Sequence, residues 1–345
     1  MKKKLLVFID RNDIADFLKR NLSKDFEVTI APFEQEKYSI KDLLKYSKNF
    51  KNYDIIHTSS FFIPAYLLYR NKKKYGTKYT ITLNGLIWKE LEDYLPNRML
   101  LKFLAWRTLQ KLTEKIFAKA DHIFFVSKSL EEKFRKRYRG IDKMKLSISY
   151  RPLQKISKKH LKKDHRIEDK IRFITITSGK FKEKAEGIKE IIKMLEKLKL
   201  EFTFDIIASA GKHEKLIKEI IENSKIKEKI NYFGEVDTVY SLLKNADIFI
   251  YSSKLDAFPR VIREAKYIGL PVILIKSPDI KETVRHNKTG FIVKNSNELQ
   301  DSLNKIIKDK KFREELLKNS REEVINQFSE LEIFKKYKKV WEELV

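Results

Sequence analysis

The sequence predicts an α/β protein of two parallel-sheet domains facing each other across a cleft. Three observations carry this expectation. Short β-rich runs alternate with amphipathic helical stretches along the chain, the pattern of parallel strands covered by helices on both faces. The alternation stops at Arg151–Lys170, a basic stretch almost without large apolar residues, and then restarts. A chain of 345 residues also exceeds one ordinary core, so two domains of roughly 150–170 residues is the natural division.

Taken in order, LLVFI (5–9) reads as a buried strand, followed by a helix around 13–22 and the strand FEVTIAP (26–32). DIIHTSS (54–60) is a strand and loop, and KYTITL (78–83) is a strand ending at Asn84-Gly85. A long amphipathic segment, 97–119, leads to the strand HIFFVS (122–127), a helix at 129–138 and KLSISY (145–150). The second half runs IRFITITS (171–178), helix 187–199, FTFDIIAS (202–209), helix 212–224, INYFG (230–234) and helix 237–244. It continues with DIFIYSS (247–253), helix 259–268, PVILI (271–275), FIV (291–293) and two closing helices near 297–326 and 330–344. Ligands of such sheets bind beyond the carboxyl ends of the strands.

Composition removes several function classes. No cysteine is present, which excludes disulfides and thiolate metal sites. The six histidines show no HExxH or other zinc spacing, and His160 and His165, in the basic linker, read as solvated. The closest two of the nine glycines are Gly179 and Gly187, so neither GxGxxG nor a Walker A loop is present. No GxSxG elbow exists either. The start, MKKKLLVFID, reads as a first strand rather than a signal peptide, and no apolar run approaches the ~18–20 residues of a membrane span. A cytoplasmic protein is the expectation. The formal net charge of +27 draws polyanions: nucleic acid, an anionic membrane surface or phosphorylated substrates.

The stretch YSSKLDAFPRVIREAKYIGLPVILI (251–275) carries the most chemistry. Pro259 has the φ favoured at a first helical position, and Gly269 with Pro271 marks the stop. The N–H groups of Arg260, Val261 and Ile262 then face the cleft, where the helix dipole favours a phosphate. Glu264 lies just over one turn in, and helical side chains lean back toward the N-terminus. Carboxylates accept hydrogen bonds from sugar hydroxyls, so Glu264 on a ribose and Asp256 on a transferred sugar fit a nucleotide sugar. Two acids merely decorating a helix end are the plainer alternative. Upstream, SGKFKEKAEGIKEII sets Lys180, Lys182 and Lys184 in the loop before the next helix, where cations could neutralise a diphosphate leaving group.

Together these segments resemble the family 4 retaining glycosyltransferases of the GT-B fold, two Rossmann-like domains facing each other. The resemblance rests on DAFPRVIREAKYIGLPVI, Glu282-Thr-Val284, Thr289-Gly-Phe-Ile-Val293, NYFGEV, NADIFIYSS and SGKFKEKAEG. DIIHTSS, TITLNG and ADHIFFVSKSLEEKF support it in the first half, and FSELEIFKKYKKVWEEL at the end. It implies an N-terminal acceptor domain over 1–152 with the terminal helix 330–345 packing back on it, a basic linker over 153–170 and a nucleotide-sugar-binding domain over 171–328.

The resemblance also implies a metal-independent transfer that retains anomeric configuration, with no cofactor beyond the nucleotide-sugar co-substrate. Lys180 stands for the diphosphate-binding Arg, Asp256 for the first acid and Glu264 for the ribose-binding Glu. Lys184, Val236, Phe258, Pro259, Arg260 and Val261 complete the donor side. Asn84 occupies the position of a sugar-contacting His, with His57, Ser59 and Gly85 on the acceptor side. The sequence departs from the family pattern in five ways. The first acid is Asp rather than Glu. Gapless counting puts Glu186 where a phosphate Lys belongs, so Lys184 must substitute. Asn84 replaces the His. FIDRNDIADF lacks the glycine loop, and Pro278-Asp279 replaces a Gly-Gly.

For the acceptor, 97–120 places Leu100, Leu101, Leu104, Trp106, Leu109 and Leu112 among Lys102, Arg107, Lys111 and Lys115. With Lys72–Lys74 and RKRYR (135–139), this favours a glycan or lipid-linked acceptor at an anionic membrane surface, with the enzyme peripheral at its inner face. A core helix with a basic outer face is the equal alternative. A catalytically silent glycosyltransferase-like protein is one rival. A nucleic-acid binder is the other, disfavoured because it leaves Asp256 and Glu264 unexplained.

Overall fold

The structure, a computed structural model, describes residues 2–9, 18–32, 47–59, 62–88, 99–153, 156–162, 164–165 and 167–345. The start of the helix expected around 13–22, Ser60 of the expected strand and loop at 54–60, and residues 97–98 of the amphipathic segment lie outside them. The chain divides into two compact units: Met1–Pro152 with Glu330–Val345, and Leu153–Ser329.

In the first unit β1 (Lys3–Ile9), β2 (Phe26–Pro32), β3 (Ile55–Thr58), β4 (Lys78–Leu83), β5 (His122–Phe125) and β6 (Leu146–Ile148) pair in the order β2-β1-β3-β4-β5-β6. All of these pairings are parallel. Helices α1 (Phe62–Tyr75), α2 (Met99–Lys119) and α3 (Lys128–Arg137) connect the strands. Ser127 caps α3, its Oγ accepting from the Leu130 amide at 3.1 Å. The described carboxyl half of α2 turns Thr113, Ile116 and Phe117 inward and leaves Arg107, Lys111 and Lys115 exposed. That half is a core helix with a basic outer face.

In the second unit β7 (Ile171–Ser178), β8 (Phe202–Ser209), β9 (Ile230–Gly234), β10 (Ile248–Tyr251), β11 (Val272–Ile275) and β12 (Phe291–Val293) form a parallel sheet ordered β12-β11-β10-β7-β8-β9. The chain builds outward from β7 to β9, then returns to lay β10 on the other side of β7. Such a reversal sends the helices after β7 and β10 to opposite faces and opens a crevice at the strands' carboxyl ends. The helices are α4 (Lys182–Leu195), α5 (Glu214–Glu222), α6 (Tyr240–Asn245), α7 (Arg260–Ile268), α8 (Ser296–Lys308) and α9 (Lys310–Phe328). Phe173, Ile248, Ile250 and Ile273 face the cluster that holds α4, α5 and α8. Their neighbours Ile174, Phe249, Tyr251 and Val272 face α7, as period-two alternation requires. The terminal helix α10 (Glu330–Leu344) returns to the first unit, where Phe334 and Trp341 pack with Leu5, Val7 and Ile55.

Three expectations change. The basic stretch beginning at Leu153 is part of the second unit rather than a free linker. Ile156 is buried there, the Lys162 amide donates to the Ile268 carbonyl at 2.8 Å, and its Nζ pairs with Asp247 at 3.0 Å. His165 is not solvated: it packs so near Gly269 that a Cβ there would meet its Cε1 at 2.8 Å. The single helix near 297–326 is two helices, because Asp309 leaves the helical conformation and caps α9 through a 2.9 Å bond from the Phe312 amide.

Candidate active site at the strand ends of the second unit

The carboxyl ends of β7 and β10 bring the expected donor residues to one edge. Beyond β7, Ser178 and Gly179 turn the chain, and the Lys180 amide donates to Ser178 Oγ at 3.2 Å. Lys180 is exposed at this tip. The neighbouring turn after β8 lies against it: the Gly179 amide donates to the Ser209 carbonyl at 2.8 Å, and the His213 amide to the Gly179 carbonyl at 2.8 Å. A Cβ on Gly211 would fall 2.4 Å from the Gly179 carbonyl carbon, so only glycine permits this approach. Glu235, after β9, ties in the same turn by accepting from the Ala210 amide at 2.9 Å.

Lys182 and Lys184, expected in the loop before the helix, lie instead in the first turn of α4. Gly187 explains how Lys184 reaches the site. A Cβ at 187 would stand 2.3 Å from the Ser252 carbonyl oxygen, so α4 rests directly on the backbone leaving β10. Residues three apart share a helix face, and Lys184 therefore points at the same segment. Its ammonium donates to Tyr251 Oη at 2.8 Å and to Asp256 Oδ2. Tyr251 donates to the same carboxylate oxygen at 2.5 Å. Glu186 is two residues round the helix, away from this face.

Asp256 is set by a turn that Ser253 organises, its Oγ accepting from the amides of Leu255 and Asp256 at 3.2 Å each. Burial alone would raise the Asp256 pKa. The Lys184 charge and hydrogen bonds from Lys184, Tyr251 and Ser253 outweigh it and hold the carboxyl below its ordinary value. Burial and the adjacent carboxylate push the Tyr251 phenol well up, so it is a proton donor here.

Pro259 is the N-cap of α7 rather than its first helical residue, with φ −66° and ψ 128°, and no side chain caps the first turn. Gly269 ends the helix in the left-handed region at φ 109°. Glu264 is buried, its side chain 1% exposed, and pairs with Arg260 Nε at 3.1 Å while Tyr240 donates to it at 3.4 Å. Both acids expected to face a ligand are thus engaged within the protein, since a buried carboxylate needs a paired cation. Phe258 does not present its ring to a ligand; the ring packs edge-on to Phe328 at 5.2 Å and under the Arg263 guanidinium at 4.6 Å. Val236 is half-buried against the core face that holds α6 and α7.

In the first unit the acceptor-side residues separate. Asn84 clasps two segments, donating to the Ser59 carbonyl at 3.1 Å and accepting from Arg151 Nε at 3.1 Å, with Gly85 beside it. His57 is a core residue instead. Its ring nitrogens bond Thr80 Oγ1 at 2.8 Å and Thr82 Oγ1 at 3.2 Å, and Phe124, Tyr337 and Trp341 surround it. Burial lowers its pKa to about 3.

Tyr251, Ser253, Tyr240 and Glu235 belong to the site and were not singled out from sequence. Tyr251 closes the apolar run IFIY and reads as core; Ser253 alone carried a signal, as a serine where the strand runs into the loop. Among the described residues no group of three or more His, Asp or Glu could hold a metal ion.

Comparison with known proteins fits this geometry. Residues 11–153 match the model described as Glycosyltransferase Family 4, and residues 157–323 match Glycosyl transferases group 1. The chain belongs to this glycosyltransferase family, with the GT-B fold. A glycosyltransferase from Rickettsia africae shares the fold over 99% of this chain and 98% of its own, with TM-score 0.74 and 21% identity. Anabaena HepE in complex with UDP-glucose superposes over 99% of both chains with TM-score 0.72 and 15% identity. N-acetyl-alpha-D-glucosaminyl L-malate synthase of Bacillus anthracis is 24% identical over 52% of this chain and 48% of its own length. An N,N'-diacetylbacillosaminyl-diphospho-undecaprenol alpha-1,3-N-acetylgalactosaminyltransferase of Campylobacter jejuni is 24% identical over 46% and 42%. The matches thus span about half the length of these curated relatives.

Proposed function

We propose that the protein transfers a sugar from a nucleotide-diphosphate sugar to an acceptor hydroxyl with retention of configuration. The observation that carries this is the convergence of Lys180, Lys184, Asp256 and the uncapped start of α7 on adjacent strand ends at the reversal of the second sheet. The solved relative with UDP-glucose and the diphospho-undecaprenol-directed relative support the donor and a lipid-linked acceptor class.

In this reading the diphosphate seats on the α7 amides and Lys180. Lys184 turns from Asp256 toward the leaving phosphate, so the two lysines supply the charge neutralisation without a metal. Asp256, released from Lys184, accepts a hydroxyl of the transferred sugar. Glu264 takes the ribose hydroxyls as Arg260 moves to the phosphates. The bond from the anomeric carbon to the phosphate oxygen breaks, the bond to the acceptor oxygen forms on the same face, and the acceptor proton passes to the leaving phosphate. Among the described residues no helix is long and apolar enough to cross a membrane.

Incubation with UDP-, GDP- and ADP-sugars tests the proposal. Release of nucleoside diphosphate that persists with chelator and is depressed by both Asp256→Ala and Glu264→Ala is expected. Absence of release with every donor and a range of acceptors would leave the silent-protein reading standing.

A further inference from the structure

A basic cavity lies at the amino-terminal edge of the first unit's sheet. Helix α1 starts beyond the carboxyl end of β3 and its last turn leads into the amino end of β4, so residues 71–75 sit at the amino-terminal edge. There a cavity of about 600 Å³ is lined by Lys48, Arg70, Asn71, Lys73, Lys74 and Tyr75 among others. That volume suits a small ligand. Among the described residues no acid lines it and none of its four cations is ion-paired, whereas the intervening Lys72 turns away to Asp121 at 2.5 Å. Arg70 lies over the Tyr66 ring at 6.0 Å and Lys74 over the Tyr75 ring at 4.8 Å.

Cations at a helix carboxyl end complement its dipole, which accounts for a lysine run there but not for Asn71. Asn71 is 7% exposed, and neither its amide nitrogen nor its amide oxygen has a hydrogen-bond partner. Buried amides are almost always satisfied. A ligand that satisfies Asn71 needs an acceptor for Nδ2 and a hydroxyl for Oδ1, and the surrounding cations require it to be anionic.

We infer that this cavity binds a phosphate-bearing polyol, of which glycerol phosphate is the simplest, either free or as a lipid headgroup. It is separate from the donor site at the strand carboxyl ends and does not depend on the proposed transfer.

Calorimetric titration of the full-length protein with glycerol 3-phosphate, with glycerol as the uncharged control, tests it at about 0.15 M salt. Sedimentation with phosphatidylglycerol and with phosphatidylcholine vesicles separates the two sources. Saturable binding of glycerol phosphate assigns a free ligand, and retention on phosphatidylglycerol vesicles alone assigns a headgroup; either supports the site. Asn71→Leu, and independently the double variant Lys73→Ser with Lys74→Ser, should each weaken that binding about tenfold or more. The exposed double variant carries the test if the buried one fails to fold. Binding of neither form, equal affinity for glycerol, or unchanged affinity in the folded variants would overturn the inference.

Discussion

The two sheets share an architecture and spend their polar residues differently. In the first, His57, Thr80, Thr82 and Tyr337 bond one another, and Trp341 Nε1 donates to Thr80 Oγ1 at 3.0 Å, so buried polar groups fasten α10 to the sheet. In the second, Lys184, Tyr251 and Asp256 bond one another at a strand end where the side chains stay partly exposed, 11% for Lys184 and 20% for Asp256. Strand order does not separate them, because the first sheet also reverses, between β1 and β3. The second cluster is a candidate site because it lies at the strand ends and keeps part of its charge within reach of a ligand.

The largest effect that sharpens this comparison concerns acid. His57 and His122 are held neutral by burial, at about 3 and about 4. The unfolded chain takes up protons first as pH falls below the ordinary 6.5. Stability of the first unit is therefore complete above that pH and declines toward pH 3, by on the order of 4 kcal/mol from His57. His165 gives the second unit a dependence of the same sign, and Asp256, held low, contributes above 3.8 and is lost only below it. All three tryptophans, Trp88, Trp106 and Trp341, lie in the first unit, so their fluorescence follows it alone. His57→Gln should move that acid transition to lower pH; an unmoved midpoint would contradict the assignment.

Next, Lys184→Met breaks a largely buried pair and leaves Asp256 uncompensated, costing about 3 kcal/mol of stability by denaturant unfolding. Under the proposed function, nucleoside diphosphate release should also fall about a hundredfold; unaltered release would remove Lys184 from the site. Gly187→Ala forces α4 off the Ser252 backbone and should cost about 2 kcal/mol. A neutral result would mean α4 is free to shift. Asn84→Ala, which loses the clasp between Ser59 and Arg151, should cost about 1 kcal/mol.

Much of this was legible in the sequence. The strands announced themselves as short β-branched and aromatic runs, and Gly269 with Pro271 marked the end of α7. The α4 start was missed because FKEKAEG is polar with a glycine, whereas the structure uses that glycine for contact with β10. His57 was misplaced for a related reason: Thr-x-Thr in β4 and Tyr337 and Trp341 in α10 satisfy it, and partners hundreds of residues apart leave no local pattern. The pairing of Lys184 with Asp256 was equally hidden. Each was expected to face a ligand, and only the packing of α4 on the end of β10 shows that they face one another.

The central claim is that a sugar diphosphate occupies the carboxyl edge between β7 and β10. Diffraction from crystals soaked with UDP-glucose is the direct test. The account predicts the diphosphate on the α7 amides within hydrogen-bond reach of Lys180, with Lys184 drawn off Asp256. Nucleotide bound at another edge, with the Lys184–Asp256 pair intact beneath an empty strand end, would contradict it.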